Sequence, residues 1–179
     1  MTREHHYDLT LRWTGDLGRG TAGYRAYSRD HLVGHATAGE LAGSSDPAFR
    51  GDPTRWNPEQ LLVASIAQCH MLWYLHLATE AGIVVTGYED APGGTMLEEA
   101  SGAGRFAEVV LRPVVTIAAG DPAVAEALHE RVGEFCFIAR SVNVPIRHEP
   151  TIVPAPSAAA EPSAAPEPSA LEPKVPADA

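Results

Sequence analysis

Polar and apolar positions alternate along HHYDLTLRWTG, residues 5–15, and again along TAGYRAYSR, residues 21–29, after the glycine-rich turn DLGRG. Side chains of a strand point alternately to its two faces. Each run therefore predicts a half-buried strand, and the pair predicts an antiparallel hairpin. A third short strand is expected at His31–Ala36. The next 17 residues, ELAGSSDPAFRGDPTRW, follow neither period and predict a loop. Loops of that length without structure of their own are usually functional.

At Asn57 the pattern changes to a helical one. Asn57 is a good N-cap, Pro58 suits the first turn, Gln60 completes a capping box and Gly82 suits the stop. Between them Leu61, Leu62, Ile66, Cys69, Leu72, Trp73, Leu75, His76 and Leu77 cover most of the circumference, with no Lys or Arg. A helix apolar nearly all round is expected to be central and largely buried. IVVTGYED then predicts a strand, APGGTMLEEASGAG a connection and RFAEVVLRPVVTIA one longer strand. DPAVAEALHERVGEFCFIAR predicts a second helix with Asp121 as N-cap, and VPIRHEPTIV a closing strand. The expected order is β-β-β-α-β-β-α-β, an α+β architecture with a mostly antiparallel sheet. Residues 1–153 are expected to form one domain. The Pro/Ala-rich residues 154–179 are expected to be a disordered tail, since they offer no apolar face.

Composition narrows the function. Net charge is −10, which disfavours nucleic acid or an anionic membrane as partner. No run approaches the roughly 18–20 apolar residues of a membrane span. MTREHHYDLTLRW lacks the apolar stretch of a signal peptide, so a soluble cytoplasmic protein is expected. The only lysine is Lys174, in the tail, which excludes Schiff-base chemistry and a P-loop from the body. There is no GxGxxG, so nucleotide binding has no support.

Two cysteines do not make a disulfide scaffold, and their ordinary reading is two small buried hydrophobes. Each is expected on one of the two helices, 67 positions apart, and nothing forbids their meeting. A bond between them would close a loop worth about 4 kcal/mol on chain-entropy grounds. A cytosolic thiol pool would keep the pair reduced unless oxidation is part of a cycle. Metal binding is disfavoured: Cys69 and His76 are seven apart, as are His129 and Cys136. Seven helical residues rise about 10.5 Å, whereas zinc ligands sit about 2–2.3 Å from the metal. A Cys–His hydrolase dyad is also weak, because His70 points about 100° away from Cys69 and no oxyanion-hole motif is visible.

Thiol redox chemistry remains. It needs a thiolate, and burial among leucines opposes one, so a permanent cation must compensate. An arginine about 4 Å from a thiolate, at an effective dielectric near 20, supplies about 4 kcal/mol. That is about a thousandfold in thiolate population, enough to outweigh partial but not complete burial.

NPEQLLVASIAQCH, with ten positions from Glu59 to Cys69, resembles the helix signature of the OsmC/Ohr family, the osmotically inducible protein C and organic hydroperoxide resistance proteins. The second cysteine in GEFCFIARSVNVPI, the strand–helix order and the opening WTGDLGRGT support it, and the likeness spans about residues 7–153. His70, where an aromatic residue is common, and FRGDPTRW depart from the pattern. The resemblance, closest to the OsmC-like branch, implies an intertwined homodimer with an OsmC-like fold. It also implies a thiol peroxidase of organic hydroperoxides, with no cofactor or metal but an external dithiol reductant. Carried over, Cys69 resembles the peroxidatic thiol, Cys136 the resolving thiol, and Glu59 the carboxylate that orients an arginine. Arg50, nine before Glu59, resembles the OsmC-branch arginine and is preferred; Arg19 resembles the Ohr-branch one. The alternative is a non-catalytic dimeric binding or structural protein that keeps the fold. An unusually fast thiol at about pH 6 would separate the two readings.

Overall fold

A computed structural model describes residues 3–156. The expected tail lies almost wholly outside these residues. Strands β1 (Thr10–Trp13), β2 (His31–His35) and β3 (Gly39–Gly43) form an antiparallel meander. The N-terminal run therefore pairs with the strand expected third, and not with TAGYRAYSR. Asp16 explains the difference: its carboxylate accepts the Gly18 and Gly20 N–H groups at 2.8 Å each. That local cap curls the segment into turns, leaving only a bridge from Asp16 to Tyr27. The expected 17-residue loop is also shorter than predicted. It contains β3 and a single helical turn, Pro47–Phe49, capped by the Asp46 carboxylate.

Helix α1 (Pro58–Glu80) carries the expected capping box, with Asn57 Oδ1 accepting from Gln60 N–H at 2.8 Å and Gln60 Oε1 from Asn57 N–H at 3.1 Å. It ends where Gly82 turns left-handed (φ 72°) and Ile83 N–H reaches back to the Ala78 carbonyl. By length and composition α1 is apolar enough to cross a membrane, contrary to the sequence expectation. It packs instead against α2 (Pro122–Val132) and β4 (Val84–Asp90). Within one chain only the stripe Ile66, His70, Tyr74, Leu77 and Ala78 is buried, so α1 is less covered than expected.

Three expected segments are divided. β5 (Gly93–Glu98) occupies the predicted connection and pairs with β6 (Gly104–Leu111). The predicted long strand is β6 and β7 (Pro113–Ala119), which belong to different sheets. The break is chemical: Pro113 has no N–H, and the Arg112 N–H is taken by the Asp90 carboxylate at 2.7 Å. The closing strand is likewise two, β8 (Ile146–His148), parallel to β6, and β9 (Thr151–Pro154), parallel to β7. The observed order is thus β-β-β-α-β-β-β-β-α-β-β, an α+β fold with three mixed or antiparallel three-stranded sheets. The main core joins Tyr74, Leu77 and Ala78 of α1 to Val115 and Ile117 of β7 and Leu128 and Val132 of α2. Ile66, Val109 and Leu111 form a second core at the other sheet.

Candidate functional site

Cys69 lies mid-way along α1, half-buried, on the face toward the main core. Cys136 is buried, and not on a helix as expected. It sits in the turn after α2, where its N–H bonds the Val132 carbonyl at 2.9 Å. The helix ends at Gly133, and the following turn packs Phe135, Cys136 and Ile138 against the core that α1 also lines. This brings Cys69 and Cys136 into one neighbourhood, close enough for the Cys69 thiol to raise that of Cys136. The Cys136 thiol is pushed up to about 11, chiefly by burial and next by the Cys69 thiol, with the Ala139 and Ile138 amides opposing. Ala139 N–H donates to Cys136 Sγ at 3.4 Å. Both cysteines are free.

Aromatic rings wall the pair. Trp73, one turn beyond Cys69, stacks on Phe135 at 5.4 Å and meets Phe137 edge-on at 5.7 Å. Phe137 is exposed, so the wall reaches the surface. A thiol pair beside an open aromatic edge can meet an apolar molecule and can close to a disulfide.

The charged residues expected at the site are elsewhere in this chain. Glu59 is in the first turn of α1, ten positions from Cys69 and therefore about 15 Å away along the axis of a continuous helix. Its Oε2 is buried without a hydrogen-bond partner among the described residues, beside a groove of about 440 Å³ lined by Asp46, Trp56, Gln60 and Phe106 among others. Arg50 is exposed and is the one non-glycine residue with positive φ (67°) among the described residues, at the end of the Pro47–Phe49 turn. Arg19 is exposed between Gly18 and Gly20, both left-handed. Among the described residues, neither arginine is in an ion pair, whereas Arg55 is held by Asp30 at 3.8 Å and Asp52 at 3.5 Å. One chain thus brings the two thiols together; Glu59 lies about 15 Å from Cys69 along the helix, and among the described residues no arginine contributes to the shift of the Cys136 thiol.

Sequence reasoning missed a second cluster beside the thiols. His70 Nε2 lies 2.8 Å from His129 Nδ1, and His148 stacks on His70 at 4.5 Å. Burial is the first cause that pushes His70 down to about 3 and His129 down to about 4. The rings come from α1, α2 and β8, and no local pattern marks them as neighbours.

The family model for OsmC-like protein matches residues 51–150. Among solved structures, an OsmC-like protein of unknown function from Vibrio cholerae superposes with a TM-score of 0.72 at 26% identity, covering 84% of this chain and 100% of that one. The organic hydroperoxide resistance protein OhrB of Bacillus subtilis superposes with a TM-score of 0.55 at 19% identity, covering 82% and 96%. An organic hydroperoxide resistance protein OsmC from Legionella pneumophila gives 0.56 at 17%, covering 83% and 98%. At those identities the last two share the fold alone. No curated protein matches the sequence.

Proposed function

Because the chain belongs to the OsmC-like family and has its fold, we propose that it is a thiol-dependent peroxidase of organic hydroperoxides. The observation that carries this reading is that Cys69 and Cys136, 67 positions apart in the chain, pack as neighbours in one core cluster.

In this reading the Cys69 thiolate attacks the outer peroxide oxygen, the O–O bond breaks, an alcohol leaves and Cys69 becomes a sulfenic acid. Cys136 condenses with it to a disulfide and water. An external dithiol then reduces the bond. The Trp73–Phe135–Phe137 wall favours a greasy substrate over a hydrated one.

The missing cation comes from a second copy. β1 carries Leu11 and Trp13 on one face, continued by Tyr7 and Leu9 before it, and all four are exposed in a single chain. Such a stripe calls for cover. The Glu59 oxygen calls for a donor, and in an intertwined dimer an arginine at the subunit boundary can meet Glu59 of one copy and the Cys69 thiolate of the other. Arg50 remains preferred over Arg19.

The test is consumption of cumene hydroperoxide with a dithiol in excess. Wild type is expected to turn over, Cys69→Ser to be inert, and Cys136→Ser to consume about one equivalent before stalling. Turnover by Cys69→Ser would sink the assignment.

A further inference from the structure

The redox reading makes no use of the histidine stack. His70 and His129 are nearly parallel, 7° between planes, and 2% and 1% exposed. Tyr74 stacks on His129 at 4.1 Å, and Tyr74 Oη–H donates to the Ala125 carbonyl at 3.1 Å. Among the described residues His129 Nε2 is buried with no partner, as are Tyr88 Oη and an Asp90 oxygen nearby. Buried polar atoms left unpaired are rare and mark a role beyond packing. The array is not arranged as a metal site, since no three ligand-type side chains converge among the described residues.

His70 and His148 do share something with the thiols. Together with Cys136, Ile66, Leu111 and Ile146 they line a cavity of about 180 Å³. A liquid water occupies about 30 Å³, so the cavity has room for water between Cys136 and the rings. Cys136 needs such help. With burial raising its thiol to about 11, roughly one molecule in ten thousand would carry the reactive thiolate at pH 7. A neutral imidazole both donates and accepts. It can therefore accept a proton at one nitrogen while releasing one from the other, with no lasting charge in the core.

We propose that His70 and His148, across the cavity they share with Cys136, relay the Cys136 proton during disulfide closure. The step rests on the redox reading above. The Cys136 S–H bond breaks and its proton enters the array. The freed sulfur attacks the Cys69 sulfenic sulfur, the S–S bond forms and the S–O bond breaks. The expelled hydroxide takes the relayed proton and leaves as water. The hydroperoxide consumed in forming the sulfenic acid is the only oxidant. The groups facing the array are Tyr74 from α1, Tyr88 and Asp90 from β4, Glu130 from α2, and Cys136. Asp90 and Glu130 favour a charged His148, and burial opposes it.

The experiment follows one turnover with one equivalent of cumene hydroperoxide, separating sulfenic acid from disulfide by quenched mass spectrometry. In His148→Phe, which fills the space without a nitrogen, the sulfenic acid is expected to form and persist, with closure about a hundredfold slower. Its closure rate should rise about tenfold per pH unit above neutrality, as hydroxide replaces the relay. Because Phe could disturb packing, His148→Ala is tested with free imidazole, which is expected to restore closure. Closure in both variants at the wild-type rate, or no rescue in a folded His148→Ala protein, overturns the relay and leaves the peroxidase reading standing. A wild-type protein that forms no sulfenic acid overturns both.

Discussion

Acid should destabilise this fold through its buried histidines. His70 and His129 are held down to about 3 and about 4, each first by burial and next by the neighbouring His148. In the unfolded chain both return to the ordinary value near 6.5. Between those values the unfolded state binds more protons, so stability falls as pH falls. The histidine contribution is complete above about pH 7.5 and is lost progressively from about pH 6.5 down toward 3–4. At pH 5 each group is about 1.5 pH units below its unfolded value and still neutral in the fold. Each therefore costs about 2 kcal/mol, and the pair about 4 kcal/mol, relative to pH 7.5. His148 adds in the same direction. Asp90 acts oppositely, because burial raises its carboxyl and acid relieves that burden. Urea unfolding at about pH 7.5 and pH 5, at one fixed protein concentration, measures the net loss. His70→Gln and His129→Gln, whatever their absolute stability, should each remove about 2 kcal/mol of the loss between pH 7.5 and pH 5. A variant that keeps the full wild-type slope would refute the reasoning.

Two further outcomes follow from the arginines and from the exposed strand face. Arg50→Ala should slow iodoacetamide alkylation of Cys69 at pH 6 and peroxide consumption about tenfold or more, and Arg19→Ala should do less. An alkylation profile that moves only in Arg19→Ala reverses the assignment. Leu11→Glu puts a charge on the apolar face of β1 and should convert a dimer to monomer in sedimentation at micromolar concentration, with loss of peroxidase activity. A wild-type monomer that is fully active would remove the dimer from the account.

Much of this protein was legible without coordinates. α1 announces itself because its signals are local: the Asn57–Gln60 box, Pro58 and Gly82 lie within or beside the segment they delimit. Cys69 and Cys136 could be singled out by elimination and by resemblance. The strands were harder. RFAEVVLRPVVTIA is apolar at most positions, and the Asp90 carboxylate, 22 positions from Arg112, joins Pro113 in breaking its ladder and sending β7 to another sheet. Asp16 similarly drew the second half of the expected hairpin into turns, so that β1 found β2. The Asp16 cap is local and competes with an equally good strand pattern, whereas the Asp90 contact comes from a distant segment, which position along the chain cannot express. The same reason hid the site's remaining parts. The nearness of the thiols, the His70–His129 bond across 59 positions and the stacking of His148 exist only once α1, α2 and β8 are packed together. Residue types and local caps were written in the sequence, whereas which buried polar groups face one another was decided by packing.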